Sequence, residues 1–77
     1  MQITFHFFGQ LAELTGGSSA QLDVEMTSVG NIRKKLIEHY PELNTMSFQL
    51  AADNAILRED ESITTHEVDV FPPFSGG

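Results

Sequence analysis

One stretch of this chain, Ser28 to Tyr40, repeats its apolar residues at helical spacing for long enough to build a full helix. Val29, Ile32, Leu36, Ile37 and Tyr40 fall at i, i+3, i+7, i+8 and i+11, a single stripe. Ser28 suits the N-cap, and Pro41 pushes the residue before it out of the helical region. A helix with one stripe needs one apolar face to lie on, so the rest of the chain must supply that face. It does so in segments of period two. Residues 2–8 place Ile3, Phe5 and Phe7 on one side and Gln2, Thr4, His6 and Phe8 on the other. Residues 20–26 place Leu22, Val24 and Met26 inward, with Gln21, Asp23 and Glu25 outward. Met46, Phe48, Leu50 and Ala52 share a side of the next segment. Asp53-Asn54 is a turn before a short strand at Ala55-Ile56-Leu57, and Val68 and Val70 face inward in the last strand, Glu67 to Phe71.

The connections decide the order. Gly9 to Thr15 reads as a short helical turn holding Leu11 and Leu14, and Gly16-Gly17-Ser18-Ser19 as a flexible break. Two strands so close pair antiparallel, and the helix then carries the chain across to the others. The last strand is expected at the centre, parallel to the first. The result is a two-layer α+β domain, a mixed sheet of four to five strands packed on one main helix. This is the β-grasp, or ubiquitin-like, architecture. The expected organisation is one ubiquitin-like domain over residues 1–77, with a flexible C-terminal tail from about residue 72.

Composition narrows the function. The 77 residues hold 11 acidic and 4 basic side chains, a formal charge of −7. A phosphate backbone or an anionic membrane repels such a surface, so nucleic acid and membrane are not expected partners, and a basic protein is. Without cysteine there is no disulfide, thiolate metal site or thiol nucleophile. No basic leader and no long apolar run is present, which places the chain in the cytoplasm by expectation. His6, His39 and His66 lie on different elements and do not read as a metal site. Glu59-Asp60-Glu61 lacks the alternating ligands and central glycine of a calcium loop and reads as a solvated acidic turn. Arg33, Lys34 and Lys35 read as a solvated helix face, too few for a nucleic-acid patch. No serine sits in a nucleophile elbow, and no metal or cofactor is expected on this chain.

The chemistry is expected instead at Phe71-Pro72-Pro73-Phe74-Ser75-Gly76-Gly77. Pro72 and Pro73 cannot donate to a sheet ladder, so they end the strand and project the remaining residues away from the body. Gly76 and Gly77 have no Cβ and can thread a channel too narrow for side chains. The reactive group at such an end is the α-carboxylate of Gly77. In water it is an inert anion. An ATP-using partner can make it an acyl-adenylate, which sulfide, a thiol or an amine can then attack. A terminal glycine pair is also what a passive, disordered end looks like.

With those residues in view, the sequence resembles the small, sulfur-carrying subunit of molybdopterin synthase over essentially its full length. FFGQLAELTG (Phe7 to Gly16) is similar to that family's first strand and turn, and EVDVFPPFSGG (Glu67 to Gly77) to its diagnostic end. Thr64-Thr65-His66 stands where the family often has a Gly-Asp turn, and Asp53 where it often has Asn. The resemblance implies that a ubiquitin-activating-enzyme-like adenylyltransferase, using ATP and Mg, adenylates Gly77, and that a sulfur donor protein supplies a thiocarboxylate. It implies transfer of that sulfur to cyclic pyranopterin monophosphate inside the large catalytic subunit, in a heterotetramer. Pro72, Pro73, Phe74, Ser75 and Gly76 would position the tail in the partner, and Phe8 and Phe74 would meet it. The carrier of thiamine (thiazole) synthesis shares the Gly-Gly end but usually lacks the Pro-Pro-apolar segment. A ubiquitin-like modifier, joining its glycine to a lysine, is the reading of a different class, and a plain binding module with a passive tail is another.

Overall fold

The computed structural model describes residues 1–25, 27–45 and 47–72. The expectations for Met26 and Met46, and for Pro73 to Gly77, lie outside the described residues. The elements run β1 (Gln2–Phe7), α1 (Gln10–Thr15), β2 (Ser19–Asp23), α2 (Val29–His39), a 3-10 turn (Pro41–Thr45), β3 (Gln49–Ala52), β4 (Ala55–Ile56) and β5 (Glu67–Phe71). The sheet order is β2-β1-β5-β3-β4. As the sequence implied, β1 pairs antiparallel with β2 and parallel with the central β5. The two-layer mixed sheet with its main helix is the ubiquitin-like β-grasp.

Alternation in the strands becomes two faces with different fates. Ile3, Phe5, Phe7, Leu22, Leu50, Val68 and Val70 turn toward α2 and are buried against Val29, Ile32 and Leu36. Burying each large side chain contributes about 1.5–3 kcal/mol before chain entropy is charged. Tyr40 closes one end, its ring edge-on to Phe7 at 5.5 Å. The helix stops at His39, one residue short of the expected end. Tyr40 before Pro41 has φ −128° and ψ 83°, and its N–H still bonds the Leu36 carbonyl. The 3-10 turn over Pro41–Thr45 has no clear sequence signal, yet it buries Leu43 completely.

The start of the long helix is tied down. The Ser28 hydroxyl accepts from the Asn31 amide side chain at 2.6 Å and, more weakly, from the Asn31 N–H at 3.4 Å. The Val29 N–H, one of the donors a helix start leaves unpaired, reaches the Glu61 carbonyl at 2.9 Å. Ile63 donates to the Thr27 carbonyl at 2.7 Å and buries its side chain, so the acidic connection to β5 is strapped over the start of α2.

Three local expectations need correction. Of the two leucines held by α1, Leu11 is buried while Leu14 is 39 % exposed, and Ala12 is the helix's second contact with the core. Gly16-Gly17 forms a defined cap in place of a loose break. Gly16 takes φ 84°, and the N–H groups of both Gly16 and Gly17 reach the Ala12 carbonyl, a left-handed glycine ending. Arg33 does not belong to a solvated face. Its guanidinium donates to the Phe48 carbonyl and to Glu59, and lies 4.8 Å from the Phe48 ring centroid. The Asp53-Asn54 turn is as expected and more specific. Both residues have positive φ, 52° and 64°, the signature of a type I′ connection in a two-residue hairpin.

Candidate functional site

Among the described residues the face of the sheet away from α2 carries no helix. Register fixes what it presents. His6, Asp69, Ala51 and Ile56 form one row across the strands, Gln21, Thr4 and Glu67 the next, and Gln49 lies opposite Phe71. The face divides into two parts. Toward the start of β5 it is polar, with the His6 imidazole 2.9 Å from Glu67 and the His66 ring 3.0 Å from the Gln2 carbonyl. Toward the end of β5 it is apolar. Phe8 is 42 % exposed and stacks on Phe71, with centroids 4.7 Å apart and planes 14° from parallel. Beside that stack, a hollow of about 290 Å³ is lined by Ala51, Asn54, Ala55, Ile56, Asp69 and Phe71. Ile56, half exposed on the short β4, is its outer wall.

Phe8 therefore lies where the alternation of β1 placed it, on the polar side of that strand and exposed. Neither Phe71, read only as the start of the tail, nor Ile56 was expected on this face. The first could have been found, because inward Val68 and Val70 force Phe71 outward. The second could not, since the face of a two-residue strand depends on its register with β3. Of the proposed tail residues only Pro72 lies within the described part. It continues directly from β5 beside the Phe8–Phe71 stack and packs against Gly9, where an added Cβ would stand 3.3 Å from Pro72 Cγ. The tail thus begins at the apolar end of the open face. Pro73, Phe74, Ser75, Gly76 and Gly77 lie outside the described residues.

The other candidates do not assemble. Among the described residues no three His, Asp or Glu side chains converge as metal ligands. The acidic connection is occupied by ion pairs, Glu59 with Arg33, and Arg58 with Asp60 and Glu61 at 3.4 and 3.5 Å. A groove of about 570 Å³ between the end of β2 and α2 mixes Lys34 and Lys35 with Asp23, Glu25 and Glu38, and brings together no reactive set. Among the described residues no helix is long and apolar enough to cross a membrane.

The family model of the ThiS family matches residues 5–77. The chain belongs to the ThiS family. It is thus a ubiquitin-like sulfur carrier of the ThiS type, and small carriers of this type work with a larger catalytic subunit and an adenylyltransferase. The fold agrees with that of a putative molybdopterin converting factor, subunit 1, from Pyrococcus furiosus, with a TM-score of 0.85 and 15% identity, covering 96% of this chain and 99% of that one. It also agrees with small archaeal modifier protein 1 from Haloferax volcanii, with a TM-score of 0.80 and 22% identity over 100% of both chains. The same protein from Methanosarcina acetivorans gives 0.73 and 21%, covering 99% of this chain and 96% of that one. At these identities the likeness is one of fold. No curated protein sequence matches this ThiS-family chain significantly.

Proposed function

We propose that this ThiS-family chain is the sulfur-carrying small subunit of a molybdopterin synthase, with Gly77 as the carrier residue. The observation that carries the reading is the end of the sequence, Phe71-Pro72-Pro73-Phe74-Ser75-Gly76-Gly77. It comes directly after the central strand, and its first proline is seated beside the only part of the open face that is apolar among the described residues. A partner that grips this face would find the tail emerging at its edge.

The chemistry then runs in three balanced steps, each inside a partner. A carboxylate oxygen of Gly77 attacks the α-phosphorus of ATP in the activating enzyme, the bond to the β-phosphate breaks, and pyrophosphate leaves. Hydrosulfide delivered by the sulfur donor adds to the acyl carbon of the adenylate, and AMP departs with the electron pair, leaving a thiocarboxylate. In the large subunit the thiocarboxylate sulfur attacks an electrophilic carbon of cyclic pyranopterin monophosphate, forming a C–S bond as a C–O bond of that carbon breaks and its oxygen leaves with the electron pair. Water then hydrolyses the resulting thioester and returns Gly77 as a carboxylate. Mg-ATP belongs to the activating enzyme, and this chain supplies handle and terminus. Pro73, Phe74, Ser75 and Gly76 are the residues that partner channels would contact.

The test is intact mass. Incubation with the activating enzyme, ATP and sulfide should add about 16 Da, sulfur replacing oxygen at the activated acyl group. An unchanged mass while pyrophosphate is released refutes the carrier step. Adding one residue beyond Gly77 should abolish sulfur transfer to the pterin while leaving the melting temperature unchanged, and full activity of the extended chain refutes the synthase assignment. A Gly-Gly end behind a β-grasp body also fits a second reading, acylation of lysines. New conjugate bands on other proteins in place of the thiocarboxylate would favour it.

A further inference from the structure

The two stretches that mark this sequence, Phe7 to Gly16 and Glu67 to Gly77, come from opposite ends of the chain and meet in the structure. Contacts between them run residue by residue. The Phe8 N–H donates to the Val70 carbonyl at 3.0 Å, carrying the β1–β5 ladder one residue past the end of β1. The Phe8 ring stacks on Phe71. Gly9 then faces Pro72, where a Cβ would stand 3.3 Å from Cγ and 3.8 Å from Cδ. Gly9 has two separate reasons to be glycine. Its φ of 59° and ψ of −138° lie in a region that side chains disfavour, and a Cβ there would crowd the proline ring, which would have to give by a few tenths of an ångström.

We propose that the Phe8-Gly9 turn is a seat for the root of the tail, and that Gly9 and Phe8 are positioning residues that set where the tail departs and how far Gly77 reaches. The proposal rests on the carrier reading above and adds a role that reading does not need. Beyond a seated Pro72 five residues remain, which span at most about 17 Å fully extended. A tail drawn out along a narrow channel has no slack, so any displacement of its root passes to the carboxylate. An unseated Pro72 adds a residue, about 3.5 Å, to the stretch between the body and the carboxylate, and loses the fixed direction of departure. Once the body has docked, one more residue of backbone must then be ordered, a factor of about fivefold or more.

The experiment uses the full chain with Pro72→Ala, which removes Cγ and Cδ without adding strain, and Gly9→Val, which adds the obstructing Cβ at positive φ. Solution NOEs between the Gly9 Hα and Pro72 Hγ and Hδ protons test the seat with no partner present. Pyrophosphate release by the activating enzyme gives kcat and KM separately. The wild-type chain should show the NOEs. Pro72→Ala should melt within about 3 °C of wild type, keep KM within about twofold, and lose about fivefold in kcat, because face docking survives and tail placement does not. Gly9→Val should lose at least as much, and adding Pro72→Ala to it should cost little more, since the contact is already broken. If Gly9→Val does not fold, Pro72→Ala decides alone. Absent NOEs in the wild-type chain overturn the seat even where adenylation proceeds. Unchanged kcat in Pro72→Ala overturns the positioning role. A wild-type chain that keeps its NOEs but is never adenylated overturns the carrier reading, and the role assigned to the seat with it.

Discussion

Replacing Arg33 by alanine should destabilise this protein far more than replacing either lysine beside it. Its side chain is only 25 % exposed and joins three parts of the fold, α2, the residue before β3 and the acidic connection. Its bond to the Phe48 carbonyl is charge-assisted, a class that contributes about 1.5–3 kcal/mol. The guanidinium over the Phe48 ring adds about 0.5–1 kcal/mol. The Glu59 partner is 61 % exposed, so that ion pair is discounted to a few tenths, on the order of 0.3 kcal/mol. These terms share one side chain and do not simply add, which gives a loss of about 2 kcal/mol for Arg33→Ala. For a domain of this size that lowers the melting temperature by about 10 °C. Arg33→Lys keeps the charge but cannot serve carbonyl, carboxylate and ring together, and should lose about 1 kcal/mol. Lys34→Ala, on the exposed side, should stay within about 0.5 kcal/mol of wild type. Urea unfolding at low and at about 1 M salt checks the cause. The Debye length falls to about 3 Å at 1 M, which removes the Glu59 contribution but not the bond to Phe48 or the ring contact. If Arg33→Ala matches Lys34→Ala, or if its cost disappears in salt, the staple is only a surface ion pair and the argument is wrong.

Leu36→Ala deletes a fully buried stripe residue and should cost about 3 kcal/mol, read as a lower urea midpoint with an unchanged slope. Asn54→Ala puts an ordinary side chain at φ 64° and should cost about 1 kcal/mol, with amide exchange accelerated first in β4. Phe8→Ala removes an exposed ring with one intramolecular stack, so stability should fall by no more than about 1.5 kcal/mol. Binding to the large subunit, measured by calorimetry, should weaken about 30-fold, as for a central aromatic anchor; unchanged affinity would remove the open face from the docking surface.

Period-two alternation and one helical stripe sufficed to read the layers, the antiparallel β1–β2 pair and the central β5, because both are local records of which side of an element is buried. What escaped was long-range. Whether Arg33 meets water or Phe48 depends on where residues 48 and 59 return to the helix, and no spacing within 28–40 reports that. Leu43 is buried by a 3-10 turn whose sequence, Pro41 to Thr45, has no helical or strand period to detect. Ile56 acquired its place on the open face from a register set by two residues of positive φ.

The root of the tail shows the same limit most sharply. Pro72 read as the point where the chain leaves the body, because a proline ends a ladder. It does end the ladder, but its ring also lies close against Gly9, so residues from both ends of the sequence meet where β5 ends. Each stretch alone has an adequate local explanation, a turn glycine in one and a strand-ending proline in the other. Only their contact turns two punctuation marks into one device. If the proposed carrier works inside other proteins, its own body has to define its reach, and the residues placed to do so are those that contact Pro72.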